Sequence, residues 1–171
     1  NVTMGPLTNN TAAAGNPAPC WVDYTAAQVA NTLATPTLYI GLPTNLVVTH
    51  GLDPNQYLGV WIDFDHNGVF DVTEYFTPNT NAGASGTHTL AITPPVGTTP
   101  GITRMRIRGG DDAQMTSAQA CGPTNSTWGE TEDYLVNIVA PQTCVSPVNA
   151  GNAATSTSTV CGQNPFTLSL F

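Results

Sequence analysis

Apolar and polar positions alternate with period two in short runs through most of the first 139 residues, and Gly, Pro, Asn and Asp separate the runs. The stretch Thr103-Arg-Met-Arg-Ile-Arg108 is the clearest case. Successive side chains on a strand point to opposite faces, so Met105 and Ile107 share one face and Arg104, Arg106 and Arg108 the other. Residues 38–40, 45–49, 57–64, 87–92 and 134–139 are likewise rich in β-branched and aromatic side chains. Helical periodicity is nearly absent; residues 24–33 fit a short helix, or equally a loop and strand. Many short strands at this spacing predict an all-β fold, an antiparallel β-sandwich of jelly-roll or immunoglobulin-like type.

Pro141 follows the last of these runs, and the composition changes there. A first domain over 1–139 is expected, followed by a linker and a C-terminal β extension over 140–171. The segment 144–171 is rich in small residues and ends in Phe166-Thr-Leu-Ser-Leu-Phe171. It has the length of one hairpin, too short to be a domain, and its apolar strand needs a sheet edge to pair with.

Charge narrows the function classes. The chain has 171 residues, no lysine, three arginines and a formal net charge of −8. Phosphate neutralisation needs basic side chains, so nucleic acid is excluded as a partner and anionic membrane surfaces are disfavoured. No apolar run approaches the roughly 20 residues that span a bilayer, so membrane insertion is not expected. The acids cluster: five lie between Asp53 and Glu74 and five between Asp111 and Asp133. Such clusters suit cation sites or solvated loops. The four cysteines, Cys20, Cys121, Cys144 and Cys161, form no C-x-x-C pair. That leaves zinc and thioredoxin-type motifs without support. Two disulfides formed in an oxidising compartment, Cys144–Cys161 and Cys20–Cys121, are the expectation, with free thiols as the alternative. No signal peptide is visible and the first residue is not Met, so a mature or trimmed form is expected.

The sharpest motif is Asp63-Phe-Asp65-His-Asn67-Gly68-Val-Phe-Asp71-Val-Thr-Glu74. It carries acids or amides at positions one, three and five of a calcium loop, glycine at six and glutamate at twelve. Calcium takes six to eight hard oxygen ligands. Asp63, Asp65 and Asn67 would supply side-chain oxygens, Val69 its carbonyl, Asp71 a direct or water-borne contact, and Glu74 both carboxylate oxygens. The preceding Tyr57-Leu-Gly-Val-Trp-Ile62 reads as a strand, so the loop lies between strands and not between the helices of an EF-hand.

Three segments together, Val60-Trp-Ile-Asp-Phe-Asp-His-Asn-Gly68, Thr103-Arg-Met-Arg-Ile-Arg108 and Gly129-Glu-Thr-Glu-Asp-Tyr134, resemble the GEVED domain of bacterial secreted proteins. Asn1-Val-Thr-Met-Gly5 and Trp21-Val-Asp-Tyr-Thr25 resemble its opening strand and DYT segment, so the likeness spans about residues 1–139. Thr131 stands where the family has Val, and the family's usual Tyr-Cys opening is missing. The resemblance implies a β-sandwich found beside secreted proteases and adhesins, with no established catalytic residues. The tail resembles the first hairpin of the immunoglobulin-like repeats that follow such domains.

Catalytic signatures are weak. His50, His66 and His88 have no H-x-x-x-H spacing, and Gly83-Ala-Ser-Gly-Thr87 lacks the spacing of a nucleophile elbow. His66 is expected to face solvent. Trp61 is expected to be half in the core, and Trp21 and Trp128 serve equally as core or as a sugar platform. Of Glu130, Glu132 and Asp133, one is expected to pair with an arginine of the 104–108 strand in preference to ligating metal, and Asp111-Asp112 to make a polar turn. Asn1, Asn9 and Asn125 sit in N-x-Ser/Thr sequons. The expected function is therefore non-catalytic. The first reading is a calcium-stabilised subunit of an extracellular fibre or bacterial surface layer, assembling head to tail with copies of itself through its C-terminal strand. The alternative is a carbohydrate-binding or adhesion module of a larger secreted protein, with surface glycans as partners.

Overall fold

The computed structural model describes residues 1–11, 21–110, 112–121 and 129–141, with the backbone of 153–155 and 168–170. It forms two compact units, Asn1–Val139 and Ala140–Phe171. The strands of the first are β1 (Val2–Met4), β2 (Leu7–Asn9), β3 (Trp21–Asp23), β4 (Thr37–Tyr39), β5 (Thr44–Thr49), β6 (Tyr57–Ile62), β7 (Tyr75–Phe76), β8 (Thr87–Ile92), β9 (Gly101–Gly110) and β10 (Thr131–Val139). One short helix, α1 (Thr25–Val29), lies between β3 and β4. In the second unit, β11 (Ala153–Thr155) pairs antiparallel with β12 (Leu168–Leu170).

The expected sandwich is present. One sheet runs β2-β1-β5-β8, and the other runs β3-β10-β9-β6-β7 with β4 also on β10. Period-two alternation supplies the core between them. Val2, Met4, Leu46 and Val48 from the first sheet join Leu58, Val60, Ile62, Met105, Ile107, Tyr134, Val136 and Ile138 from the second in one cluster. A fully buried aliphatic side chain contributes about 1.5–3 kcal/mol, so this cluster dominates stability.

The ladder is antiparallel except at one edge. Both β3 and β4 run parallel to β10, β3 against Thr131–Asp133 and β4 against Asn137–Val139. Leu135 falls in the gap, where the amide of Gln28 on α1 takes the place of a strand. Gln28 Nε2 donates to the Leu135 carbonyl at 2.9 Å and its Oε1 accepts from the Leu135 N–H. Buried polar backbone must be paired, and this side chain supplies the pairing.

Strand β6 is buried on both faces, from Leu58 to Ile62. Trp61 is not half but wholly buried, in a second cluster with Met115 and Ala120 against Phe70 and Tyr75. Its Nε1 donates to the Ser117 carbonyl at 2.9 Å. The segment 112–121 therefore lids the outer face of this sheet. Gly59 makes room for the indole: a Cβ there would lie 2.7 Å from Trp61 Cη2.

Cys121 is a free, exposed thiol that accepts from Arg106 Nη1 at 3.1 Å. The other cysteines expected to form bridges, Cys20, Cys144 and Cys161, lie outside the described residues, as do Asp111, Trp128, Asn125 and the side chains of the apolar tail.

Candidate metal centre

Residues 63–74 connect β6 to β7, and β7 returns to pair with Val60 and Trp61. Both ends of the loop are fixed. The Asp63 N–H donates to the Arg104 carbonyl at 3.1 Å, and the Asp63 carbonyl accepts the Thr103 hydroxyl at 2.6 Å. At the far end a single 3₁₀ turn, Val72–Glu74, swings Glu74 back into the loop. Asp63 and Glu74 are buried, whereas Asp65, Asn67, Gly68, Val69 and Asp71 are exposed.

The backbone wraps around the carboxylates. Glu74 Oε1 accepts from Phe64 N at 2.6 Å and Asp65 N at 3.3 Å, and its Oε2 accepts from Asp71 N at 3.0 Å. Asp63 accepts from Asn67 N and Gly68 N, each at 3.1 Å. Gly68 has φ +80°, a conformation in which glycine carries no Cβ penalty. Burial pushes the Glu74 carboxyl up, the three backbone N–H bonds oppose it, and the charge of Asp65 adds to the rise.

One carboxylate oxygen each from Asp63, Asp65 and Glu74 lie within 4.8 Å of one another. Calcium–oxygen distances are about 2.3–2.6 Å, so two oxygens on one ion stand no more than about 5 Å apart. The spacing fits. Asp71 is drawn in through Asn67, whose Nδ2 donates to Asp65 Oδ2 at 2.9 Å and Asp71 Oδ2 at 3.1 Å. That amide nitrogen bridges two carboxylates where a cation would sit, and a half-turn of the amide would present Oδ1 instead. Val69 donates its N–H to Asn67 Oδ1 at 2.7 Å, which places the residue at the loop's rim. His66 is exposed, as expected, with Nε2 3.0 Å from the Thr99 carbonyl.

Polar arrangements also lie outside this loop. On the outer face of β9 and β10, Arg106 grips Asp133 with Nε–Oδ1 and Nη2–Oδ2 contacts, both 2.6 Å. This is the arginine partner that the sequence led us to expect for the acidic cluster. Trp21, 46% exposed, donates its Nε1 to Asp133 Oδ2 at 3.1 Å, so one edge of its indole is fixed beside the ion pair. Nothing in the spacing of the histidines pointed to the second arrangement. His50 Nε2 and His88 Nδ1 are 2.9 Å apart, and His88 Nε2 is 3.0 Å from the Thr80 carbonyl. A carbonyl only accepts, so His88 carries its proton on Nε2 and Nδ1 must accept from His50. Burial and the neighbouring His88 charge hold His50 at about 4, and burial lowers His88 as well.

A histidine whose folded value is depressed binds fewer protons than the unfolded chain between the two values. This pair's contribution is thus present above about pH 6.5 and lost as the pH falls toward 4. Glu74, Glu130 and Glu132, pushed up by burial, act in the opposite direction. The difference between native protein and His50→Gln isolates the pair. The melting temperature of the native protein is expected to drop more steeply from pH 6.5 to 4 than that of the variant; parallel curves would show that the pair does not couple to folding.

No curated protein matches the sequence. Among solved structures, a family 123 glycoside hydrolase from Clostridium perfringens, described for glycolipid glycan hydrolysis, aligns at 15% identity and a TM-score of 0.36 over 74% of this chain. The alignment spans 26% of that enzyme, and at this score the likeness carries no conclusion about fold or activity. The family comparison is direct: the GEVED domain profile matches residues 57–137, from the start of β6 into β10. The 63–74 loop, the arginine strand and the acidic start of β10 all fall within it, and this part of the chain is a GEVED domain.

Proposed function

We propose that the chain is a non-catalytic, calcium-stabilised β-sandwich module of a larger extracellular bacterial protein. The observation that carries this reading is the convergence of Asp63, Asp65 and Glu74 in a loop whose two ends are hydrogen-bonded into place. GEVED domains occur in secreted and cell-surface proteins of bacteria, and no helix among the described residues is long and apolar enough to cross a membrane. Calcium bound between these carboxylates screens their mutual repulsion and ties β6 to β7. Adhesion to surface glycans is the binding role that suits such a module, with the exposed Trp21 as its aromatic face.

Assembly with copies of itself through residues 140–171 is the second reading. Within that segment β12 already pairs with β11. A strand with a partner in its own segment suits the hairpin of an immunoglobulin-like repeat better than a strand donated to a neighbour. Thermal melting and sedimentation of the full chain, with calcium and after chelation, test both points. At calcium one hundred times Kd the ion contributes about 2.7 kcal/mol, which corresponds to roughly 5–10 °C for a domain of this size. Asp65→Asn should lose most of that shift. An unchanged melting temperature after chelation would sink the calcium reading, and a ladder of oligomers would favour assembly over the module.

A further inference from the structure

Strand β10 opens with acids that face opposite ways. Asp133 lies on the outer face with Arg106, whereas Glu132 shares the inner face with Tyr134, Val136 and Ile138. Glu132 is only 4% exposed. Its Oε2 accepts the Tyr134 hydroxyl at 2.9 Å, and that hydroxyl accepts from Asn9 Nδ2 at 2.9 Å. Among the described residues Oε1 is buried without a hydrogen-bond partner. The Thr11 side chain hydrogen-bonds the same carboxylate, Tyr24 stacks on Tyr134 with ring centroids 5.2 Å apart, and Glu130 stands near enough to feel the charge of Glu132.

A desolvated carboxylate with a spare oxygen calls for a positive charge, and this chain has little to give. It has no lysine, and its three arginines all lie on β9. There Arg104, Arg106 and Arg108 stand opposite Leu135, Asp133 and Thr131, on the face away from Glu132. The terminal ammonium of Asn1 acts on both glutamates, yet it is exposed and donates to the Thr49 carbonyl.

We infer that Glu130 and Glu132 form a second cation site, which takes a hard divalent ion such as calcium at the buried Oε1. Carboxylate oxygens are hard donors, which suit calcium and not a softer metal. The site is separate from the 63–74 loop. Glu132 stands opposite Ile107 and Asp63 is anchored at Arg104, three residues apart on β9, or about 10 Å at strand rise. One ion cannot serve both.

Calcium titration of the decalcified full chain, by calorimetry, counts the ions. Native protein should bind two per chain, and Glu132→Gln and Asp65→Asn should each lose a different one. Glu130→Gln, at a half-buried position that is safer for folding, should weaken the step lost in Glu132→Gln by at least tenfold. If the 63–74 loop binds nothing, native protein would take up one ion that survives Asp65→Asn and disappears in Glu132→Gln. That result would uphold this inference and sink the proposed function. Unchanged stoichiometry and affinity in Glu130→Gln and Glu132→Gln would overturn it, and a higher melting temperature for Glu132→Gln would then identify a protonated carboxyl in place of an ion. Should Glu132→Gln fail to fold, the Glu130→Gln titration decides alone: tenfold weakening supports the site and unchanged binding refutes it.

Discussion

Replacing Arg106 with leucine is expected to cost about 3–5 kcal/mol, the range for removing one partner of a buried ion pair. Asp133 is fully buried, and Arg106 meets it with two contacts of 2.6 Å. The pair polarises itself: hydrogen bonding to Asp133 raises the guanidinium pKa further. Arg106 also donates to the Ala120 carbonyl at 2.9 Å and lies 5.2 Å from the Phe70 ring centroid, so it joins the 112–121 lid to the sheet. After the substitution Asp133 keeps only the Trp21 Nε1 bond among these contacts. Because desolvation offsets most of the attraction in such a pair, the double variant Arg106→Leu, Asp133→Leu should recover much of the loss. Denaturant unfolding measures both. A loss below about 1 kcal/mol in the single variant, the range of exposed ion pairs, would show that the pair is solvated.

Trp61→Ala is the second large effect, about 3–5 kcal/mol for a buried tryptophan truncated to alanine. The indole is fully buried, stacks near Tyr75 at 4.8 Å between ring centroids and bonds the Ser117 carbonyl. Removing it takes away the floor on which Met115 and Ala120 rest. The variant should therefore be cut by protease within 112–121 while the rest of the sandwich stays protected. Uniform protection in both proteins would mean that the lid is held by Gln114, whose Nε2 bonds the Leu58 carbonyl, and not by the indole.

What the sequence disclosed follows from how local each feature is. The alternation of Arg104, Met105, Arg106, Ile107 and Arg108 made β9 legible, because one buried face and one polar face leave a period-two trace. The start of β10 left none. Thr131, Glu132 and Asp133 are polar on both faces yet buried, and their partners sit on β9 and β3. Trp61 differs from expectation for a related reason: Met115, Ser117 and Ala120, which help to cover it, lie more than 50 positions away, and their packing writes no period into the strand. The parallel edge depends on Gln28, a lone polar residue of α1 that reaches 107 positions along the chain. The His50–His88 pair is likewise a product of strand register, with Val48 opposite His88. The candidate calcium ligands lie within twelve consecutive residues, so their spacing alone named them, and the fold adds the convergence of Asp63, Asp65 and Glu74.

Anomalous diffraction from crystals grown with calcium shows whether the ion sits among those loop carboxylates. An anomalous peak is expected at about 2.3–2.6 Å from oxygens of Asp63, Asp65, Asp71 and Glu74 and from the Val69 carbonyl. Asn67 should be turned so that Oδ1 faces the ion. A loop without a peak, in which Asn67 Nδ2 still bridges Asp65 and Asp71, would contradict it.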